Sequence, residues 1–227
     1  MIKIVIALAL FVKLAYAQHP DSVGAAILYS SSEYIETSDT VMPIPVVNYT
    51  YNNFYIRGLE FGYFYHYFLS FVAKPQMGGH DIQGVHKTAN SIDAGVKLSH
   101  RVWDTNIELE ILHDTLAKHK GWQSSLKLSK VFTKDRYIFI PNISVTYYDS
   151  SFSQYYYGVE GSQRFDDYSL GGSYDTSVGF VAIYNFHTNY ALTLIANRSF
   201  LDSDKYNSPL VDSKTKDFLL LSAVYMF

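Results

Sequence analysis

Long segments of strict period-2 alternation constrain this chain more than any other feature. In SIDAGVKL, residues 91–98, the set Ile92, Ala94, Val96 and Leu98 opposes Ser91, Asp93, Gly95 and Lys97. In 106–111, Ile107, Leu109 and Ile111 oppose Asn106, Glu108 and Glu110. Segments 43–51, 121–130, 137–148 and 173–186 repeat the pattern. Alternation of this kind puts one set of side chains on each face of a strand and does not suit a helix. The segments approach the roughly 9–11 residues that a tilted strand needs to cross a bilayer, whereas strands in globular proteins average about 5–6. Aromatic residues gather near their ends (Tyr49, Tyr51, Tyr147, Tyr148, Tyr184, Phe186), as interfacial girdles do. The closing segment DFLLLSAVYMF puts Leu219, Leu221, Ala223, Tyr225 and Phe227 on one face. Its other face carries Phe218, Leu220, Val224 and Met226, with Ser222 the polar exception, which predicts a partly packed lumen rather than a wide channel.

The opposite end reads MIKIVIALALFVKLAYA. Lys3, the apolar run Ile4–Val12 and the small-x-small triplet Ala15-Tyr16-Ala17 form a secretory leader cut after Ala17. Residues 1–17 are therefore read as signal peptide and 18–227 as one barrel domain. Without Lys3 and Lys13 the remainder carries 16 Lys+Arg against 21 Asp+Glu, formally −5. That balance argues against nucleic acid, which requires a basic footprint. With no cysteine there is no disulfide framework and no thiol chemistry. Beyond residue 17 no apolar run is long enough for a membrane-spanning helix, yet aromatics make up 17% of the chain. A secreted β-sandwich also accommodates alternation. Strand length, girdles, leader and terminal Phe together favour an all-β fold, a transmembrane antiparallel β-barrel.

Counting gives eleven strands: 22–30, 43–52, 54–62, 66–74, 90–100, 104–113, 120–132, 136–148, 170–186, 189–201 and 215–227. Bacterial single-chain barrels have even counts with both termini on the periplasmic side. Twelve strands is the expectation, with ten as second choice, and the unresolved stretch is 52–75. The C-terminus then places 75–89, 114–119, 149–168 and 202–214 outside the cell, and the short turns 101–103, 133–135 and 187–188 in the periplasm. A tight turn at Val102-Trp103 sets Lys97 opposite Glu108, with Glu110 one step diagonal. Their face is the polar one, so the three form an expected lumen cluster.

Few residues suggest chemistry. HDIQGVH at 80–86 and HDTLAKH at 113–119 share a His-Asp-x-x-x-x-His spacing, and His80, Asp81, His86, His113, Asp114 and His119 all fall at the loop end. These donors suit zinc, nickel or copper, but without Cys or tight ligand spacing the pattern reads as two polar loops, and no metal or other cofactor is expected. Asp166-Asp167 near Ser162 is the best acidic pair, and it lies in no motif with a mechanism, so no enzyme activity is expected. Tyr155-Tyr156-Tyr157 can stack on a sugar, although loop packing is the commoner use of such residues.

Several stretches taken in order resemble the MipA/OmpV family of outer-membrane proteins. They are MPIPVVNYTYNNFYIRGLEFG at 42–62, SIDAGVKL at 91–98, QYYYGVE at 154–160, SPLV at 208–211 and AVYMF at 223–227. The aromatic turn near Tyr63–Tyr67 and the loop 74–90 depart from the family pattern. The resemblance implies an outer-membrane location in a Gram-negative bacterium and contact with outer-membrane lipid. It also implies a non-enzymatic role as a scaffold joining a murein transglycosylase to a murein synthase. A narrow pore and a surface adhesin are the alternatives. Phe227, with Tyr225, resembles the C-terminal signal read by the outer-membrane insertion machinery.

Overall fold

The alternating segments pair in chain order, each antiparallel to the next, and the last returns to the first. The computed structural model describes residues 21–227, so the leader and its cleavage after Ala17 lie outside the described residues. The strands are β1 (Ser22–Ser30), β2 (Thr40–Tyr51), β3 (Phe54–Arg57), β4 (Glu60–His66), β5 (Leu69–Gln76), β6 (Ser91–Val102) and β7 (Thr105–Asp114). They continue with β8 (Trp122–Lys130), β9 (Phe132–Lys134), β10 (Tyr137–Tyr148), β11 (Ser173–His187), β12 (Tyr190–Phe200) and β13 (Thr215–Met226). Two short helices, α1 (Ser150–Tyr157) and α2 (Ser203–Tyr206), sit in loops. Pairing of β1 with β13, from Ser22↔Met226 to Ser30↔Phe218, closes the barrel.

β8 and β9 are two halves of one stave, because both pair with β10 in a single register, Asn142↔Ser129 and Phe139↔Phe132. The break faces Pro141. Asn185 N–H bonds Arg136 O, so even-numbered residues of β10 point their backbone groups at β11 and odd ones at β8 and β9. Pro141 has no N–H to give on that side, and the ladder lapses there. The barrel therefore has twelve staves.

The strand absent from the sequence count lies in the stretch that looked ambiguous. The segment 54–62 is two strands, split by a turn at Gly58-Leu59 in which Gly58 has φ +59°. Glycine takes that conformation without a Cβ clash. The hairpin β6–β7 also differs from expectation. Val102 pairs with Thr105, so the turn is Trp103-Asp104 and every facing pair moves by two residues. The expected loop 149–168 contains α1, and the following strand starts at Ser173 rather than at residue 170. Asp149 caps α1 by accepting the Phe152 N–H at 2.9 Å.

Outward faces are apolar and exposed, as lipid contact demands, with Ile27, Phe71, Ile111, Leu126, Val145 and Leu221 among them. Aromatic rings form a ladder along the β10–β13 side of the short-turn rim. Tyr137 stacks on Tyr184 at 4.8 Å, Phe186 on Tyr190 at 5.9 Å, Tyr190 meets Tyr225 at 5.2 Å, and Tyr225 meets Phe227 at 6.3 Å. Tyr148, expected in a girdle, faces inward instead, beneath the Lys205 ammonium at 3.6 Å. At the opposite rim the long loops 31–39, 77–90, 149–172 and 201–214 fold over the mouth.

Candidate functional site

Three interior structures dominate the barrel. The first is a lid at the long-loop end, built around α1. One face of the helix buries Phe152, Tyr156 and Tyr157 against Tyr34, Ile82 and Leu210, drawn from three other loops. Polar groups are matched in detail. Tyr157 OH donates to Glu33 Oε1 at 3.2 Å, Ser208 Oγ to Tyr157 O at 2.6 Å, and the Ala89 N–H to Tyr155 OH at 2.8 Å. Tyr34 and Val211 form an isolated bridge. Burial holds the Tyr34 and Tyr157 phenols well above their ordinary range, so both stay neutral. Lys205 on α2 is fully buried and donates to Asp175 Oδ2 at 2.7 Å, which pins the 201–214 loop to the wall.

His80 lies inside this lid at 5% exposure, and neither ring nitrogen has a hydrogen-bond partner among the described residues. Its ring meets Tyr34 at 4.9 Å and His86 at 6.4 Å. Burial first, then the neighbouring His86, pull its imidazole below the ordinary value, with the Tyr156 backbone, Asp81 and Glu33 acting the other way.

The second structure is a carboxylate–imidazole cluster under the 115–121 loop. His119 Nε2 lies 2.9 Å from Asp93 Oδ1, and Gln123 Nε2 donates to Asp93 Oδ2 at 3.0 Å. Asp114 accepts from Ser91 Oγ and from the N–H groups of Leu116, His119 and Lys120 at 2.8–2.9 Å. The Gly121 N–H reaches His119 Nδ1 at 3.2 Å. Donor atoms of Asp93, Asp114 and His119 lie within 4.8 Å of one another. All are engaged in bonds that fasten the loop to β6 and β7, so the cluster works as a staple. Of the six residues sharing the His-Asp spacing, only Asp114 and His119 meet here. Asp81 pairs with Lys87, and His113 donates to Gly121 O at 2.7 Å on the outer face. The third member, Asp93, was legible only as one more polar-face residue.

The third structure is a four-charge cluster inside β4–β7. Lys97 Nζ lies 2.5 Å from Glu60 and 3.4 Å from Glu110, and Lys74 Nζ lies 3.1 Å from Glu60 and 2.7 Å from Glu110. Tyr55 OH donates to Glu60 Oε1 at 2.8 Å. Lys97 faces Glu110 directly, not Glu108, because the turn lies one residue later than expected. Glu108 sits opposite Ser99 and Lys127, outside the cluster. Glu60 and Lys74 complete the cluster beyond the expected three residues, because the weak turn signal at Gly58-Leu59 does not announce β4 as a separate strand.

The enzyme candidates do not assemble. Ser162 Oγ accepts the Arg164 N–H at 3.1 Å, and Asp167 Oδ1 accepts the Gly161 N–H at 2.8 Å. Both shape a turn. At the short-turn rim, Trp103 has φ +53° and is 90% exposed. Phe227 is bonded through its N–H to Asp21 O at 3.0 Å, and the residue is 61% exposed.

A closed twelve-stave barrel with an apolar outer belt, aromatic ladder and short turns at one rim is an outer-membrane β-barrel. The family model described as MltA-interacting protein MipA matches residues 23–227, so the chain belongs to that family. It is similar to the MltA-interacting protein of Escherichia coli K12, 24% identical over 230 residues, covering 94% of this chain and 92% of that one. It is also similar to outer membrane protein Omp26La of Vibrio anguillarum, 24% identical over 159 residues. That match covers 69% of this chain and spans 62% of the Vibrio protein's length. Among solved structures, a Pseudomonas aeruginosa FadL homologue aligns with a TM-score of 0.45 and 9% identity, covering 94% of this chain and 92% of that one.

Proposed function

We propose that this barrel is a non-enzymatic scaffold of the Gram-negative outer membrane that holds a murein transglycosylase, and through it a murein synthase, against the membrane. Trp103 carries the reading. A bulky residue at positive φ is strained, and strain of that kind collects at functional positions. Two other turns of the same rim place Asn52 and Asp135 at positive φ, residues that tolerate it. Trp103 instead presents a large, exposed side chain at this rim, the kind of residue that anchors protein interfaces. The name of the Escherichia coli relative, MltA-interacting protein, supports a transglycosylase as partner. The loop core over the far mouth, with no nucleophile–base pair among the enzyme candidates, supports a structural role over a catalytic one.

Leader cleavage after Ala17, delivery to the insertion machinery through Phe227 and Tyr225, and lipid contact around the apolar belt complete the proposal. Cross-linking in intact cells tests it. The wild-type barrel should recover a murein transglycosylase, and Trp103→Ala should recover little while inserting normally. Equal recovery by both would reject the Trp103 rim as the docking site. The second reading, a narrow pore, draws on the polar residues Ser99, Asn106, Glu108 and Lys127 of the lower lumen. Single-channel conductance in a planar bilayer would favour it.

A further inference from the structure

The wall of the barrel is incomplete at one place. β3 is only 4 residues long and pairs with Asn48–Tyr51 at the foot of β2. The rest of β2, from Thr40, is laddered to β1 alone, apart from the Gly58 N–H to Val47 O bond at the top of the turn. On the far side β4 leaves β5 at Ala73, and Pro75 pairs with β6 alone. Above the Gly58-Leu59 turn, β2 and β5 thus face each other across a gap. At the hairpin they are three strand spacings apart, roughly 14 Å. The free edge of β2 runs for about 20 Å toward the long-loop rim, which places the gap in the half of the wall that meets the outer leaflet.

Unpaired strand edges are not left in hydrocarbon, because each bare donor or acceptor there costs several kcal/mol. Here the edges carry proline. The Gly58–Val47 bond shows that odd-numbered residues of β2 turn their backbone groups toward the gap, so Pro43 and Pro45 present ring carbons where N–H groups would stand. Thr115 N–H bonds Ile92 O, so Ile92 points its backbone at β7 and its partner Pro75 points away from β6, into the gap from the other side. All three prolines are exposed. Proline at an edge denies the donors an added strand would need, so the gap is shaped against another chain. The lid does not cover it, since Met42, on the inward face of β2, remains 37% exposed.

Behind the sill stands Arg57, inward-facing at the end of β3. Its guanidinium lies 4.7 Å from the Tyr55 ring and 5.4 Å from the Phe64 ring, and it makes no ion pair among the described residues. Its cross-strand neighbour Glu60 is already held by Lys74 and Lys97. Two lysines balance two glutamates in that cluster, which leaves Arg57 as an uncompensated positive charge at the opening. We propose that the gap is a lateral portal for a single-chain amphipathic anion. The alkyl chain passes between the proline edges, and the head group rests on Arg57, above the apolar shelf of Tyr55, Phe64 and Val72. This function is separate from docking at the periplasmic rim.

The test uses the barrel refolded in nanodiscs, with cis-parinarate as fluorescent probe and the corresponding uncharged alcohol as control. Wild type should bind the carboxylate saturably and at least tenfold more tightly than the alcohol. Arg57→Gln should lose about that tenfold, and Arg57→Lys should keep most of it. The chain has no cysteine, so Pro45→Cys/Pro75→Cys can be bridged by a bis-maleimide at this one place. The unbridged double variant should bind and the bridged one should not, with heat-modifiable gel migration showing that both are folded. Equal affinity for acid and alcohol, binding unchanged by Arg57→Gln, or binding unchanged by the bridge would each overturn the proposal. So would bridging that links two barrels to each other, which would show a second copy at the edge.

Discussion

Lys97 gives the sharpest test of how the lumen is held together. Its side chain is 12% exposed, and its partners Glu60 and Glu110 are 14% and 10% exposed. Removing one partner from a buried ion pair costs about 3–5 kcal/mol. Lys74 still neutralises part of the loss, at 3.1 Å from Glu60 and 2.7 Å from Glu110, so Lys97→Met should fall at the low end, about 3 kcal/mol. Lys97→Glu sets three carboxylates against one ammonium and should reach about 5 kcal/mol. Glu108→Gln, outside the cluster, should change stability by less than about 0.5 kcal/mol. Reversible urea unfolding in lipid bilayers, followed by tryptophan fluorescence and gel migration, gives these differences. The Lys97 effects should persist in high salt, because a shielded cluster is screened far less than exposed charges. If both Lys97 variants unfold within about 0.5 kcal/mol of wild type, the four charges merely face lumen water, where such pairs stabilise little.

Three further outcomes are expected. Deleting Phe227 or changing it to Ser should leave unfolded protein in the periplasm, seen as loss of heat-modifiable migration, and normal insertion of either would contradict the assembly signal. Protonation of His80 is resisted in the folded lid, so stability present above the ordinary imidazole value of 6.5 should fall as pH drops below it; protease cutting in 77–90 should rise from pH 7 to pH 5, and His80→Phe should flatten that rise. Zinc added to refolded barrel should not bind stoichiometrically at Asp93, Asp114 and His119, and tight zinc lost on His119→Ala would show that the staple opens for metal.

Much of the barrel was legible because lipid outside and polar lumen inside enforce strict alternation. Segments such as Ser91–Val102 and Tyr137–Tyr148 differ from expectation by a residue or two. The sequence misled where local chemistry is ambiguous. Gly58-Leu59 is a weak turn within an aromatic run, so β3 and β4 merged into one segment. Trp103 is a poor candidate for positive φ, so the expected turn lies one residue early and puts Glu108 directly opposite Lys97, with Glu110, the glutamate that Lys97 meets, only on the diagonal. Of the lid, only the packing of the Tyr155-Tyr156-Tyr157 run was legible. The lid's core joins Tyr34, Ile82, Phe152 and Leu210 from four loops, and a loop carries no periodicity to announce which side chains it buries. Pro43 and Pro45 were visible, but their meaning needed the ladder, which shows where the missing N–H groups point.

The pairing of Ser22 with Met226 also governs how the molecule comes into being. The first strand has one of its two neighbours at the far end of the chain, so its ladder cannot be completed until the last strand has been made and has reached it. Contacts of such long range form slowly, since the entropy of the intervening chain must be lost before they reward it. Until then the apolar belt has no lipid and the first strand keeps an unsatisfied edge, the condition in which chains aggregate. Closure is thus the late step of folding, and the chain stays open to aggregation until its two end strands meet.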